Sequence, residues 1–345
     1  MDLELLRERA RIIRQVRAFF DQRDYLETDT PLLAPDLIPE SCLEVFQTLR
    51  LRPGAGSGAS SGANSGADKP YWLIPSPEIW MKRLIARHRA SLYQICKCFR
   101  NGEASGRQHS PEFTMLEYYT MQTDYLGSLE ITEELFDFLL QAAGSPADLS
   151  PPFIRLTVAE AFAEWAGFDL YQAAESADAM EAQARRLGLN PPPGLSVHEL
   201  YDIIFIHAVE PKLPLSRPVA LMDYPAFVPC LAKQSPGGKT VERWELYARG
   251  IELANCFTEE TRADEVRRFF ENEKAAKEKT ALVRHAVDED YWKLFAGGDS
   301  SPAENVFPAG NLFPPCSGVA MGLDRLIMVL CGRKTLDGVL PFPME

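Results

Sequence analysis

With 345 residues, 46% of them apolar and 25% charged, the chain is long enough for a large core and ordinary in composition for a globular protein. No run of eighteen apolar residues occurs, so no membrane span is expected, and the N-terminal MDLELLRERARIIRQ lacks the apolar centre of a signal peptide. A net charge of −13 gives no basic footprint for nucleic acid, and seven cysteines without a CxxC pair point to reduced thiols in a cytoplasmic setting.

Ile12, Ile13, Val16, Phe19 and Phe20 recur at helical spacing, which predicts an amphipathic helix over 3–22. Tyr25–Thr30 then runs extended into Pro31. Residues 53–69, PGAGSGASSGANSGADK, hold nothing that packs and read as a surface loop between strands at 43–51 and 71–74. No Lys-Ser/Thr follows these glycines, so they are not read as a phosphate cradle. Residues 79–90 predict a helix with a basic face. Cys96 and Cys98 would share one face of a strand, and without a distant partner pair they read as core thiols rather than metal ligands. Further helices are expected at 125–143, 157–187 and 262–278, with a buried one at 319–331. The proline-punctuated stretch from about 144 to 215 reads as a helical insertion. Strands are expected at 218–222, 241–249 and 251–257. Since strands pair mostly with near neighbours, the expected class is α+β, an antiparallel sheet flanked by helices.

The chemistry concentrates in two segments. Phe99–Tyr119, FRNGEASGRQHSPEFTMLEYY, reads as a strand ending in Arg100, a polar loop, and a returning strand that begins Pro111-Glu112-Phe113. A cation, a loop and an aromatic face brought together this way suit a nucleoside triphosphate bent towards the arginine. Gly318–Met328, GVAMGLDRLIM, adds small residues and Arg325 at a helix start. A guanidinium grips two phosphate oxygens and keeps its charge when desolvated, and the helix N-terminus near Gly322 favours phosphate. In GIELANCFTEE, Glu252 and Glu259 form a carboxylate pair of the kind that holds Mg²⁺ together with phosphates.

These two segments resemble motifs 2 and 3 of class II aminoacyl-tRNA synthetases, and the opening helix, strand and proline resemble motif 1. The likeness is strongest to lysyl-tRNA synthetase and its short paralogues, the elongation factor P–lysine lysyltransferase family. It covers nearly the whole chain and implies one class II synthetase-like catalytic domain over 1–345, paired as a homodimer through motif 1. It also implies ATP and Mg²⁺. Arg100 would hold the α-phosphate and the substrate carboxylate, and Phe113 and Arg325 would sandwich adenine, with Arg325 reaching the γ-phosphate. Gly102, Glu103, His109, Ser110, Leu253 and Gly322 would complete the ATP site, and Glu252 and Glu259 would hold the metal. Arg100, Arg325 and Glu252 are thus the expected catalytic residues. Ser76, Pro77, Glu78, Tyr119, Asn255, Glu259 and Ala320 would receive the amino acid.

The chain departs from the lysyl-tRNA synthetase pattern in places. Gly102 stands where a glutamate is usual, Glu103 follows it, the loop is one residue longer at Ala104-Ser105, and Ser110 replaces a common asparagine. Ser76 and Ala320 stand where alanine and glycine are typical. The added hydroxyl and methyl match the lysyltransferase family, which implies (R)-β-lysine, or lysine, activated and transferred to the ε-amine of a lysine in elongation factor P. The first helix starts too early for a preceding anticodon-binding barrel, so tRNA is the disfavoured acceptor. A tRNA-charging enzyme, a small-molecule ligase of the same fold and a non-catalytic paralogue remain the alternatives.

Overall fold

The computed structural model describes residues 3–50, 69–102, 106–143, 146–297 and 312–342. Helix α1, Leu3–Asp21, buries the predicted stripe of Leu5, Ile12, Val16, Phe19 and Phe20. Phe20 stacks on Tyr93 with ring centroids 4.8 Å apart, which fixes the helix against the sheet. The strands are β1 (Leu26–Glu27), β2 (Leu33–Ala34), β3 (Gln47–Arg50), β4 (Lys69–Leu73), β5 (Leu92–Phe99), β6 (Glu112–Met121), β7 (Ile154–Thr157), β8 (Val219–Pro225), β9 (Thr240–Ala248), β10 (Ile251–Thr258) and β11 (Cys316–Gly322). Among the described residues, eight of them form one sheet in the order β1-β5-β6-β11-β10-β9-β8-β7, and β2-β4-β3 form a small second sheet. From β5 to β8 every pairing is antiparallel, as expected, and short parallel strands close both edges.

Helices α2 (Glu78–His88) and α3 (Tyr125–Ala143) and the helix Ala263–Thr280 fall close to their predicted ranges. Two predicted helices are corrected. Residues 316–322 are not helical but form β11, in the middle of the sheet, and the helix begins only at Leu323 and runs to Leu330. The physical reason is period two: Val319 and Met321 enter the core while Gly318 and Ala320 line the cleft on the opposite face. The predicted helix over 157–187 is broken into shorter pieces. Gly167 ends the first with φ of 74°, Asp169 caps a short turn through the Tyr171 and Gln172 N–H groups, and Ser176 caps Ala177–Arg186. All of the Gly/Ser tract except Lys69 lies outside the described residues, as does Glu103.

No helix among the described residues is long and apolar enough to cross a membrane. Cys98 is buried and Cys96 half-buried, with their sulfurs 3.8 Å apart, and no group of three or more metal-ligating side chains occurs among the described residues.

Candidate active site

Strand register decides what stands in the cleft. Across the central strands Glu117 lies opposite Ala320, and Tyr119 opposite Gly318. Ala320 in turn faces Asn255, and Gly318 faces Phe257. One strand further, Asn255 meets Glu245 and Phe257 meets Arg243. On β10 the register slips between Glu252 and Ala254, with Leu253 as the extra residue. That bulge flips the alternation, so Glu252 and Asn255 line the same cavity although their parity differs.

Small residues on β11 leave room above them for a cleft of two lobes. An acidic lobe of about 330 Å³ is lined by Ser76, Glu78, Glu117, Tyr119, Glu259 and Gly318. An aromatic lobe of about 340 Å³ is lined by His109, Ser110, Phe113, Glu252, Gly322 and Arg325. Arg100, Met115, Arg243, Asn255 and Ala320 border both, so Arg100 stands at the junction. The segment after β2 also borders both lobes through Glu40, Cys42 and Leu43. It is tied down from helix Ala263–Thr280, where Glu273 accepts the Ser41 N–H at 2.7 Å and Lys277 donates to the Glu40 carbonyl at 2.9 Å.

In the acidic lobe Glu117 accepts hydrogen bonds from the Ser76 hydroxyl at 2.6 Å and the Tyr119 hydroxyl at 2.9 Å. Ser76 also accepts the Glu78 backbone N–H at 3.0 Å, which fixes the start of α2. Burial and the nearby Glu78 charge push Glu117 up to about 8, although Ser76, Tyr119 and Lys82 pull the other way. Glu259, 1% exposed, lies 2.6 Å from the Lys82 ammonium. Burial pushes it up to about 8 against that ammonium, and Glu78 adds to the rise. Burial pulls Lys82 down, but Glu259 and Glu78 outweigh it and hold the ammonium well above its usual range. The lobe therefore collects carboxyls that are poor carboxylates until a cation arrives.

In the aromatic lobe the Arg100 guanidinium stands 5.3 Å from the centre of the half-buried Phe113 ring. Arg325 donates to the Glu252 carbonyl at 3.0 Å and the Gln108 carbonyl at 3.1 Å, which bends it over the lobe. Its neighbour Asp324, 2% exposed, accepts the Thr114 N–H and an Arg9 N–H, each at 2.6 Å. Through that carboxylate α1 is locked to β6 and to the helix that carries Arg325. Glu252 keeps 42% of its side chain exposed to the open cleft. Desolvation there and the Glu245 charge still push it up, against Arg325, Arg100 and Arg243. Glu245 accepts from Tyr224 at 2.5 Å, Tyr247 at 2.8 Å and Arg243 at 2.5 Å, and so is held rigidly beside Glu252.

Most expected residues meet in this cleft: Arg100, His109, Ser110, Phe113, Glu252, Leu253, Gly322 and Arg325 in one lobe, and Ser76, Glu78, Tyr119, Asn255, Glu259 and Ala320 in the other. Two do not line it. Pro77 sits at the cap of α2, and Gly102, with φ of 76°, packs towards Glu44. Of the expected metal pair, Glu252 borders the aromatic lobe and Glu259 the acidic one, where it stands 2.6 Å from the Lys82 ammonium. The carboxylate that accompanies Glu252 is Glu245, from the next strand. Sequence reasoning missed Glu245, Glu117 and Lys82. For Glu117 a signal existed, since it precedes Tyr119 by two residues on a strand and so shares its face.

The family description "tRNA synthetases class II (D, K and N)" matches residues 3–345. The chain is 33% identical to the elongation factor P–(R)-β-lysine ligase of Avibacterium paragallinarum over 99% of its own length and 96% of the relative's. The protein of the same name from Yersinia enterocolitica is 34% identical over 98% of this chain and 94% of its own length. The one from Haemophilus influenzae is 33% identical over 100% and 96%. With this match running from the first described helix to the last residue, and with the paired lobes built on an antiparallel sheet, the chain belongs to the class II tRNA synthetase (D, K and N) family.

Proposed function

We propose that this protein is an ATP-dependent ligase that adenylates (R)-β-lysine and transfers it to the ε-amine of a lysine in elongation factor P. The observation that carries this reading is the two-lobed cleft, with Arg100 at the junction between a carboxyl-rich lobe and an aromatic, cationic one. The names of the relatives supply the protein acceptor and the β-amino acid.

In the first step the amino acid carboxylate attacks the α-phosphorus of ATP, a C(O)–O–P bond forms, and the bond to pyrophosphate breaks. Arg100 reaches both reactants from the junction and offsets the charge that builds on the α-phosphate. Phe113 offers a face to adenine, and Arg325 neutralises the phosphates beyond it. In the acidic lobe Glu78, Glu117 and Glu259 receive the ammonium groups. In the second step the acceptor amine, which has given up its proton, attacks the acyl carbon to form the amide and AMP leaves.

Glu252, exposed to the open cleft, would give an oxygen donor to Mg²⁺, and the charge of Glu245, which raises it, would add to the pull on a divalent cation. With phosphates completing its shell, such an ion would withdraw charge from the reacting triphosphate. An enzyme acting on a translation factor works in the cytoplasm, and the likeness of α1 and β1 to motif 1 supports a homodimer.

The test is the intact mass of elongation factor P after incubation with the protein, ATP, Mg²⁺ and (R)-β-lysine. The expected result is a gain of one β-lysyl unit. No gain despite brisk pyrophosphate exchange would move the acceptor elsewhere, with tRNA next to be tried.

Affinity for the amino acid should depend on pH. Burial pushes Glu117 and Glu259 up to about 8, so at neutral pH they hold protons that an incoming ammonium must expel. The ligand's terminal amine keeps its own proton up to about 10. Binding should therefore strengthen as pH rises from 6 and level off above about 8, by up to about tenfold per unit for each proton released. Calorimetry in buffers of different ionisation enthalpy would count those protons. Affinity that is flat or falls over this range would refute the assignment.

A further inference from the structure

Lys82 stands behind the acidic lobe, paired with two of its carboxylates, and neither the adenylation step nor ammonium binding explains it. It follows Glu78 by one turn of α2 and is 1% exposed, among Ile79, Met81 and Ile85 of the same helix. A methionine would fill such a place without the cost of burying an ammonium. Its Nζ instead lies 2.5 Å from Oε1 of Glu78 and 2.6 Å from Oε2 of Glu259, with the Phe257 ring at 5.4 Å. We propose that Lys82 is a specificity-determining positioning residue: by holding Glu78 and Glu259 it sets the inner charge of the lobe to that of a ligand with two ammonium groups. The inference rests on reading this lobe as the amino acid site.

The charge count runs over the groups that face the inner end. Once an incoming ammonium has expelled the carboxyl protons, Glu78, Glu117 and Glu259 give three negative charges and Lys82 one positive, so the balance is minus two. The other charged groups of the lobe have partners of their own. Arg243 pairs with Glu245, His198 with Asp202, Glu273 binds the Ser41 N–H, and Glu40 faces Arg100. The remaining polar neighbour of Lys82 is the buried Tyr291 hydroxyl. A diamino acid brings two ammonium groups and cancels the balance, whereas an amino acid with a neutral side chain leaves a bare buried carboxylate. Lys82 also orients. Its ion pair is to Oε2 of Glu259, which leaves Oε1 on the side kept open by Gly318, where a Cβ would stand 2.8 Å from that oxygen; among the described residues neither oxygen accepts a hydrogen bond.

The experiment is amino-acid-dependent ATP–pyrophosphate exchange by the wild type, K82M, K82R, E259Q and K82M/E259Q. The substrates are (R)-β-lysine and two analogues that each lack one amine, 3-aminohexanoic and 6-aminohexanoic acid. For K82M the expected result is a KM for (R)-β-lysine raised about 100-fold, with KM for ATP unchanged within about threefold. Its preference for the diamine over either monoamine should shrink at least about tenfold, and K82R, which keeps the charge, should restore part of that preference. Should thermal melting show K82M unfolded, the double variant, which removes both charges of the pair, is read instead. Its inner charge returns to minus two, where E259Q alone leaves minus one, so its preference for the diamine should recover at least about threefold over that of E259Q. A K82M enzyme with the wild-type KM and preference would overturn the inference alone, as would a double variant whose losses simply add. A wild type that exchanges with no diamino acid would overturn the reading of the lobe and the inference with it.

Discussion

Replacing Arg100 with alanine is expected to slow (R)-β-lysine-dependent pyrophosphate exchange by about 10³-fold, the scale on which removal of one preorganised donor to a charged transition state falls. The fold should survive. The backbone N–H of Arg100 is held by the Pro111 carbonyl at 2.9 Å whatever its side chain, and the guanidinium faces the junction of the lobes rather than the core. Arg100→Lys should recover no more than about a tenth of the activity, since a single ammonium cannot bridge two oxygens in the plane of a guanidinium. Stopped-flow or radiolabel exchange at saturating ATP decides it. An alanine variant within about tenfold of wild type would mean that the phosphate charge is offset elsewhere, with Arg325 the obvious alternative.

How much of this site could be read beforehand follows from what is local. The hairpin that carries Arg100 and Phe113 is a continuous stretch, so strand, loop and returning strand show in the order of residues alone. The same holds for Ser76 at the start of α2. What the sequence hid depends on neighbours distant in the chain. Residues 316–330 are mostly apolar, interrupted by Asp324 and Arg325, so that a buried strand and a buried helix look alike in them, and only pairing with β6 and β10 settles the first half as β11. Glu252 and Glu259 sit seven apart in the segment GIELANCFTEE, which invites pairing them. A bulge at Leu253 and a register with β9 give Glu252 a different carboxylate neighbour, Glu245, and send Glu259 to the other lobe. Lys82 belongs to a run of basic residues that reads as a solvated face. It turns inward because two carboxylates wait for it there, and one of them, Glu259, comes from just past the end of β10, far along the chain.

The second large effect should come from the smallest side chain of the site. Gly318 lies in the central strand opposite Tyr119, and a Cβ placed on it would stand 2.5 Å from Cε1 of that ring and 2.8 Å from Oε1 of Glu259. Neither neighbour can yield cheaply. Tyr119 is 2% exposed and its hydroxyl is tied to Glu117, while Glu259 is 1% exposed and tied to Lys82. Gly318→Ala should therefore move the ring, and with it the Glu117 carboxyl, at a cost in stability of about 1–3 kcal/mol. Because the displaced groups are those that receive the ammonium of the ligand, KM for (R)-β-lysine should rise by about 100-fold or more. The aromatic lobe does not include Gly318, so KM for ATP should stay within about threefold of wild type. Ala320 gives the internal control: it already carries a methyl on the same face of β11, so crowding alone is tolerated two residues away. Should Gly318→Ala bind the amino acid as tightly as wild type, Tyr119 and Glu259 would not be the walls of the site, and the ammonium would have to be sought against Glu78 instead.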